Sequence, residues 1–142
     1  MTYNDEIQYF QDFSAGHDQI KTFGTGEEWE KEGILKQGIL YPIIYFIPID
    51  STTTENTKVR RFKVACFGKV KKDKTDEQEI LSDTEQILDD LVKDLRYNQD
   101  DLELIGDPVW MPFKEEYGDF CAGWDGEITI QSQFNNNNCD KP

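Results

Sequence analysis

The stretch Glu79-Ile80-Leu81-Ser82-Asp83-Thr84-Glu85-Gln86-Ile87-Leu88-Asp89-Asp90-Leu91-Val92-Lys93-Asp94-Leu95 decides the fold. Ile80, Leu81, Thr84, Ile87, Leu88, Leu91, Val92 and Leu95 recur at steps of 1, 3 and 4, a single apolar stripe at helical spacing. Glu79, Gln86, Asp89, Asp90, Lys93 and Asp94 fall on the other side. The stripe predicts a helix of about 17 residues, roughly 25 Å long. Thr75 or Asp76, after the charged loop Lys71-Lys72-Asp73-Lys74, is placed to cap it. Ordering so many side chains costs conformational entropy comparable to what their burial returns. The helix therefore requires a sheet to lie on.

Upstream, Tyr41 to Ile49 is apolar on both faces and reads as an interior strand, with Pro42 and Pro48 at its ends. The polar run Asp50 to Thr57 is expected to be a long hairpin loop. Lys58 to Val70 returns as a half-solvated strand, with Phe62, Val64, Cys66 and Val70 facing one way and Arg61, Lys63 and Lys69 the other. Downstream come two short apolar runs, Leu102–Ile105 and Val109–Phe113. The last strand, Trp124 to Phe134, turns Trp124, Ile128, Ile130 and Phe134 inward. At the start, Tyr3, Ile7, Phe10, Phe13 and Ile20 predict a helix near residues 4–20, capped by Asn4 or Asp5 and weakened at Gly16. Phe23-Gly24-Thr25-Gly26 reads as a turn. The order predicts an α+β fold, a mostly antiparallel sheet with helices packed on one face. One domain over 1–134 with a polar C-terminal tail over 135–142 is the expected organisation.

Fifteen Lys and Arg stand against 29 Asp and Glu in 142 residues, a formal charge of −14. That balance opposes adhesion to nucleic-acid phosphates or anionic membranes. An acidic channel would still let a duplex slide through without sticking. Cys66, Cys121 and Cys139 form no metal-binding or disulfide pattern and suit a reducing cytoplasm. The N-terminal residues lack the basic and apolar regions of a signal peptide. The longest apolar run, Ile39 to Ile47, is too short to span a bilayer.

Catalytic groupings are not evident. His17, the single histidine, lies in no nucleophile or zinc motif and reads as an ordinary helix-face residue. Gly24-Thr25-Gly26 precedes acids, the wrong sign for cradling phosphate. The pairs Asp89/Asp90, Asp100/Asp101 and Glu115/Glu116 lie among polar residues, where no carboxyl is raised by burial as a catalytic pair requires. Asp73-Lys74-Thr75-Asp76-Glu77 lacks the glycine and spacing of a calcium loop. Trp110 and Trp124 read as core and not as a sugar platform. The chain is expected to have no catalytic, cofactor-binding or metal-binding residues and not to be an enzyme.

Three stretches resemble the small tail-terminator and head–tail connector (neck) proteins of tailed phages, as in phages of Bacteroidetes and crAss-like phages. They are Phe23-Gly24-Thr25-Gly26 with Tyr41-Pro42-Ile43-Ile44-Tyr45; Glu79 to Leu91, with its "SDT" and "ILDDL"; and Phe120 to Ile130, with its "AGW". The resemblance implies a structural virion protein assembled in the host cytoplasm, one that terminates the tail tube or joins it to the portal. It implies a ring of about 6 or about 12 copies. Its partners would be itself, the tail tube protein and the portal or connector proteins, with DNA passing through the lumen unbound and no membrane involved. A competing expectation is a soluble acidic inhibitor that mimics DNA. The Lys residues interspersed at 69–74 speak against it.

Overall fold

In the computed structural model, residues 2–26, 40–71, 73, 75–97, 101–116 and 120–133 are described, without the side chains of 115, 116, 120 and 133. Helix α1 (Tyr3–Gly16) leads into β1 (Thr22–Thr25), β2 (Ile43–Thr53) and β3 (Thr57–Lys69). Helix α2 (Glu77–Tyr97) follows, then β4 (Leu102–Ile105), β5 (Met111–Glu116) and β6 (Phe120–Gln133). The fold is α+β. Six strands form one sheet in the order β1-β2-β3-β6-β4, with β5 beside the other half of β6. All pairings are antiparallel except β1 with β2.

Both helices lie on one face, as the apolar stripe requires. Ile87, Leu88, Leu91 and Leu95 of α2 and Phe10 of α1 pack on Ile44, Phe46, Phe62, Val64, Cys66, Ile128 and Ile130, all buried. Phe10 stacks on Phe46 at 4.1 Å between ring centroids and meets Phe62 edge-on at 5.1 Å. On the opposite face a smaller cluster, Ile43, Ala65, Phe67 and Cys121, is buried with Tyr41 and Phe113 against it. Gly123 has no room for a side chain: a Cβ there would stand 2.1 Å from the Cys66 carbonyl oxygen.

Several local expectations are corrected. Phe23 to Thr25 is strand and not turn, paired in parallel with Ile44 to Phe46; the bend falls at Gly26, whose φ of 121° suits glycine. The 50–57 segment is no long loop. Strand β2 runs on to Thr53, and Glu55 and Asn56 make a tight turn closed by Thr54 N–H donating to the Thr57 carbonyl at 2.9 Å. Pro48 lies inside β2, beyond the part β1 covers, where the register shifts by a bulge before Asp50. Strand β3 lies inside the sheet, flanked by β2 and β6.

The helix ends also differ. Helix α1 stops at Gly16 and is capped by Thr2, which accepts from Asp5 N–H while Asp5 accepts from Thr2 N–H. Helix α2 is 21 residues long. The Asp76 carbonyl accepts its first turn's bond from Ile80, but the Asp76 side chain accepts instead from Lys71 N–H. Phe134, the 135–142 tail and the stretch around Trp29 lie outside the described residues.

Candidate assembly surfaces and the helix cleft

His17 and the three carboxylate pairs were among the places the sequence offered for chemistry, and the fold fixes what most of them do. His17 caps the C-terminus of α1 and is half-buried against α2. Its Nδ1 accepts the Gln19 N–H at 3.2 Å, so Nε2 carries the proton and donates to Asp90 at 2.8 Å. Both ring nitrogens are therefore occupied, which leaves no lone pair for a substrate. One turn along α2, Asp94 accepts from the Tyr9 hydroxyl. Burial, then the Asp94 hydrogen bond and charge, push the Tyr9 phenol well above its usual range.

These two contacts tie α1 to α2 and wall a shallow cleft of about 510 Å³ lined by Tyr9, Asp12, Phe13, Gly16, His17 and Asp94. The two carboxylates that line it, Asp12 and Asp94, accept hydrogen bonds from Gln8 and Tyr9. Asp89 points to solvent while its neighbour Asp90 serves His17, so the pair is split. Asp101 is exposed; Asp100 and the side chains of Glu115 and Glu116 are outside the described residues. Asp73 is held below the usual carboxylate range by the Thr75 N–H and hydroxyl, a local turn and not a metal loop. Among the described residues there is no group of His, Cys, Asp and Glu placed to hold a metal ion. Nor is any helix among them long and apolar enough to cross a membrane.

Trp124 packs against the core and donates its indole N–H to the Leu81 carbonyl at 2.7 Å. Trp110 covers Gly126, filling the space a side chain would occupy there. Neither is a free stacking platform. Cys66 is fully buried, which pushes its thiol up and out of the reactive range.

Periodicity did not signal the buried pair beneath α1. Glu6, 1% exposed, bonds the Arg60 guanidinium of β3, with the Ser132 hydroxyl 3.5 Å away. Burial raises the Glu6 carboxyl above its ordinary value, with Arg60 pulling the other way. The other Glu6 oxygen, Oε1, is buried without a hydrogen-bond partner among the described residues. A Glu six residues into the chain and an Arg among strand residues carry no pattern that links them. Only the fold brings them together.

Among the described residues, the outer face of α2 and the sides of the sheet are open to a partner. Strand β1 covers β2 only from Ile43 to Phe46. Ile49, Ile105, Val109 and Met111 are exposed large apolar side chains along the two sides. No family model matches the chain, and no curated protein matches it either.

Proposed function

We propose that the chain is a structural subunit that forms a ring at the neck of a tailed phage, ending the tail tube or joining it to the portal complex, and that it carries no catalytic activity. The observation that carries this reading is the meeting of the three stretches that resemble that family. Phe23-Gly24 pairs with Ile44-Tyr45 in the parallel edge of the sheet. The Ala122-Gly123-Trp124 stretch lies against Cys66 to Gly68, and Trp124 bonds to Leu81 just before the Ser82-Asp83-Thr84 turn of α2. Residues scattered over a hundred positions thus support one another in one corner of the fold. The α+β architecture supports the same reading, and the occupied nitrogens of His17 suit a protein that does no chemistry.

The acidic balance fits a channel that DNA traverses without sticking. A second reading has one observation in its favour. Glu79, Asp83, Glu85 and Asp89 lie on α2 outside its apolar stripe, apart from Asp90 and Asp94, which bond to α1. Such a face would suit an inhibitor that imitates DNA. Light scattering separates the two. A ring mass, alone or with the tail tube protein, is expected for the structural subunit; a monomer that inhibits a DNA-binding enzyme stoichiometrically would overturn it.

A further inference from the structure

The two sides of the sheet are unlike, and they match each other. Among the described residues, no strand lies outside β2 from Ile47 to Thr53, and β4 ends the sheet on the other side. The register sets these two edges at one level. Thr53 pairs with Lys58, Lys58 with Ser132 and Ser132 with Leu102. Asp50 pairs with Arg61, Arg61 with Thr129 and Thr129 with Ile105. Strand β4 therefore spans the same rows as Asp50–Thr53. Because direction alternates through β2, β3, β6 and β4, the two edges run opposite ways. A copy set beside the first by a shift across the sheet brings β4 antiparallel to that stretch of β2.

Charge is divided along the chain. Residues 40–71, which contain β2 and β3, hold six Lys and Arg against two acids. Residues 101–133, which contain β4, β5 and β6, hold one Lys against eight acids. Most of the bases lie on β3, inside the sheet, where Arg60 bonds Glu6 and Arg61 bonds Asp50 and Glu127, so the two edges themselves offer backbone and apolar contact to each other and not opposite charge. Both sides also end in apolar side chains: Ile49 is 40% exposed, Ile105 42% and Met111 60%. Pro48 and the bulge after it guard the start of the β2 edge, which confines pairing to the rows beyond.

We infer that the β2 edge of one copy, Asp50–Thr53, takes the Leu102–Ile105 edge of a second copy, a head-to-tail contact that continues the sheet between subunits. This rests on the ring reading and names the surfaces that would build it. The test uses Ile49→Asp, which blocks one side, and Ile105→Asp, which blocks the other, with masses measured by light scattering. Each variant alone is expected to be monomeric under conditions where the unmodified chain assembles. An equimolar mixture is expected to stop at a pair, since one good edge of each kind remains. Variants that keep the full assembly would overturn the inference and leave the ring reading standing, as would a dimer formed by either variant alone. An unmodified chain that stays monomeric even with the tail tube protein would bring down both. A second measurement does not depend on those variants folding. With Cys139 changed to Ser, the double variant Ile49→Cys/Ile105→Cys should give a bis-maleimide ladder of copies that neither single variant gives. No ladder would overturn the inference.

Discussion

Glu6 of α1 and Arg60 of β3 form an ion pair that almost no solvent reaches, and Glu6 Oε1 within it has no hydrogen-bond partner among the described residues. Removing one partner of such a pair leaves a bare buried charge, which costs about 3–5 kcal/mol. Arg60→Met is expected to lose about that much in urea unfolding at neutral pH. The double change Glu6→Met/Arg60→Met is expected to be neutral or to gain about 1–4 kcal/mol.

The same pair sets a pH dependence. Glu6 holds its proton more tightly folded than unfolded, so its contribution is most favourable below the ordinary glutamate value of 4.5. That contribution is lost as pH rises through the raised folded value. Without Arg60 the pull that lowers the carboxyl is gone. The Arg60→Met chain should therefore lose more stability than the unmodified chain between pH 4 and about 8. Parallel denaturation curves for the two chains across that range would refute this.

Tyr9→Phe removes the hydroxyl that Asp94 accepts. The loss is expected at about 1.5–3 kcal/mol, the range for a hydrogen bond to a charged group. The Tyr9 phenol is pushed far above its usual range, so it stays protonated and the loss should be the same at pH 6 and at about pH 9. Thermal unfolding of both chains at the two values checks it.

Two glycines should respond in opposite directions. Gly123→Ala drives a Cβ into the Cys66 carbonyl and Phe67, against backbone that cannot give way, and at least about 3 kcal/mol of lost stability or an insoluble product is expected. Gly16→Ala meets open space at the end of α1 and should gain about 0.4–1 kcal/mol. Chemical denaturation of the pair reads both.

The Cys66 thiol is buried with its pKa raised on the helix face of the sheet, and Cys121 is buried on the opposite face. Neither should react with a thiol reagent in the folded chain. Labelling by mass spectrometry should find them modified only once denaturant opens the sheet.

How much of this was legible beforehand depended on how local the cause was. The stripe from Ile80 to Leu95 and the alternation from Trp124 onward are set by near neighbours, so α2 and β6 could be read directly. Strand β1 could not. Thr-Phe-Gly-Thr is too short, and too interrupted by its glycine, to read as a strand by itself, and its conformation comes from parallel pairing with Ile43 to Phe46, 21 residues further along the chain. The polar run Asp50 to Thr57 misled for a related reason. Composition suggested a loop, while β3, itself anchored on β6, extends the ladder to its tip. The His17–Asp90, Tyr9–Asp94 and Glu6–Arg60 contacts join residues at least fifty positions apart, beyond any periodicity.

The division of charge across the sheet gives each subunit a lateral dipole, separate from its net charge. In an open row of copies set head to tail, those dipoles add, and the two ends remain unlike and reactive. In a closed circle they sum to zero, and the distant field is that of the acids alone. A head-to-tail contact between copies would thus also favour stopping at closure, since a finished circle leaves neither edge open to another copy.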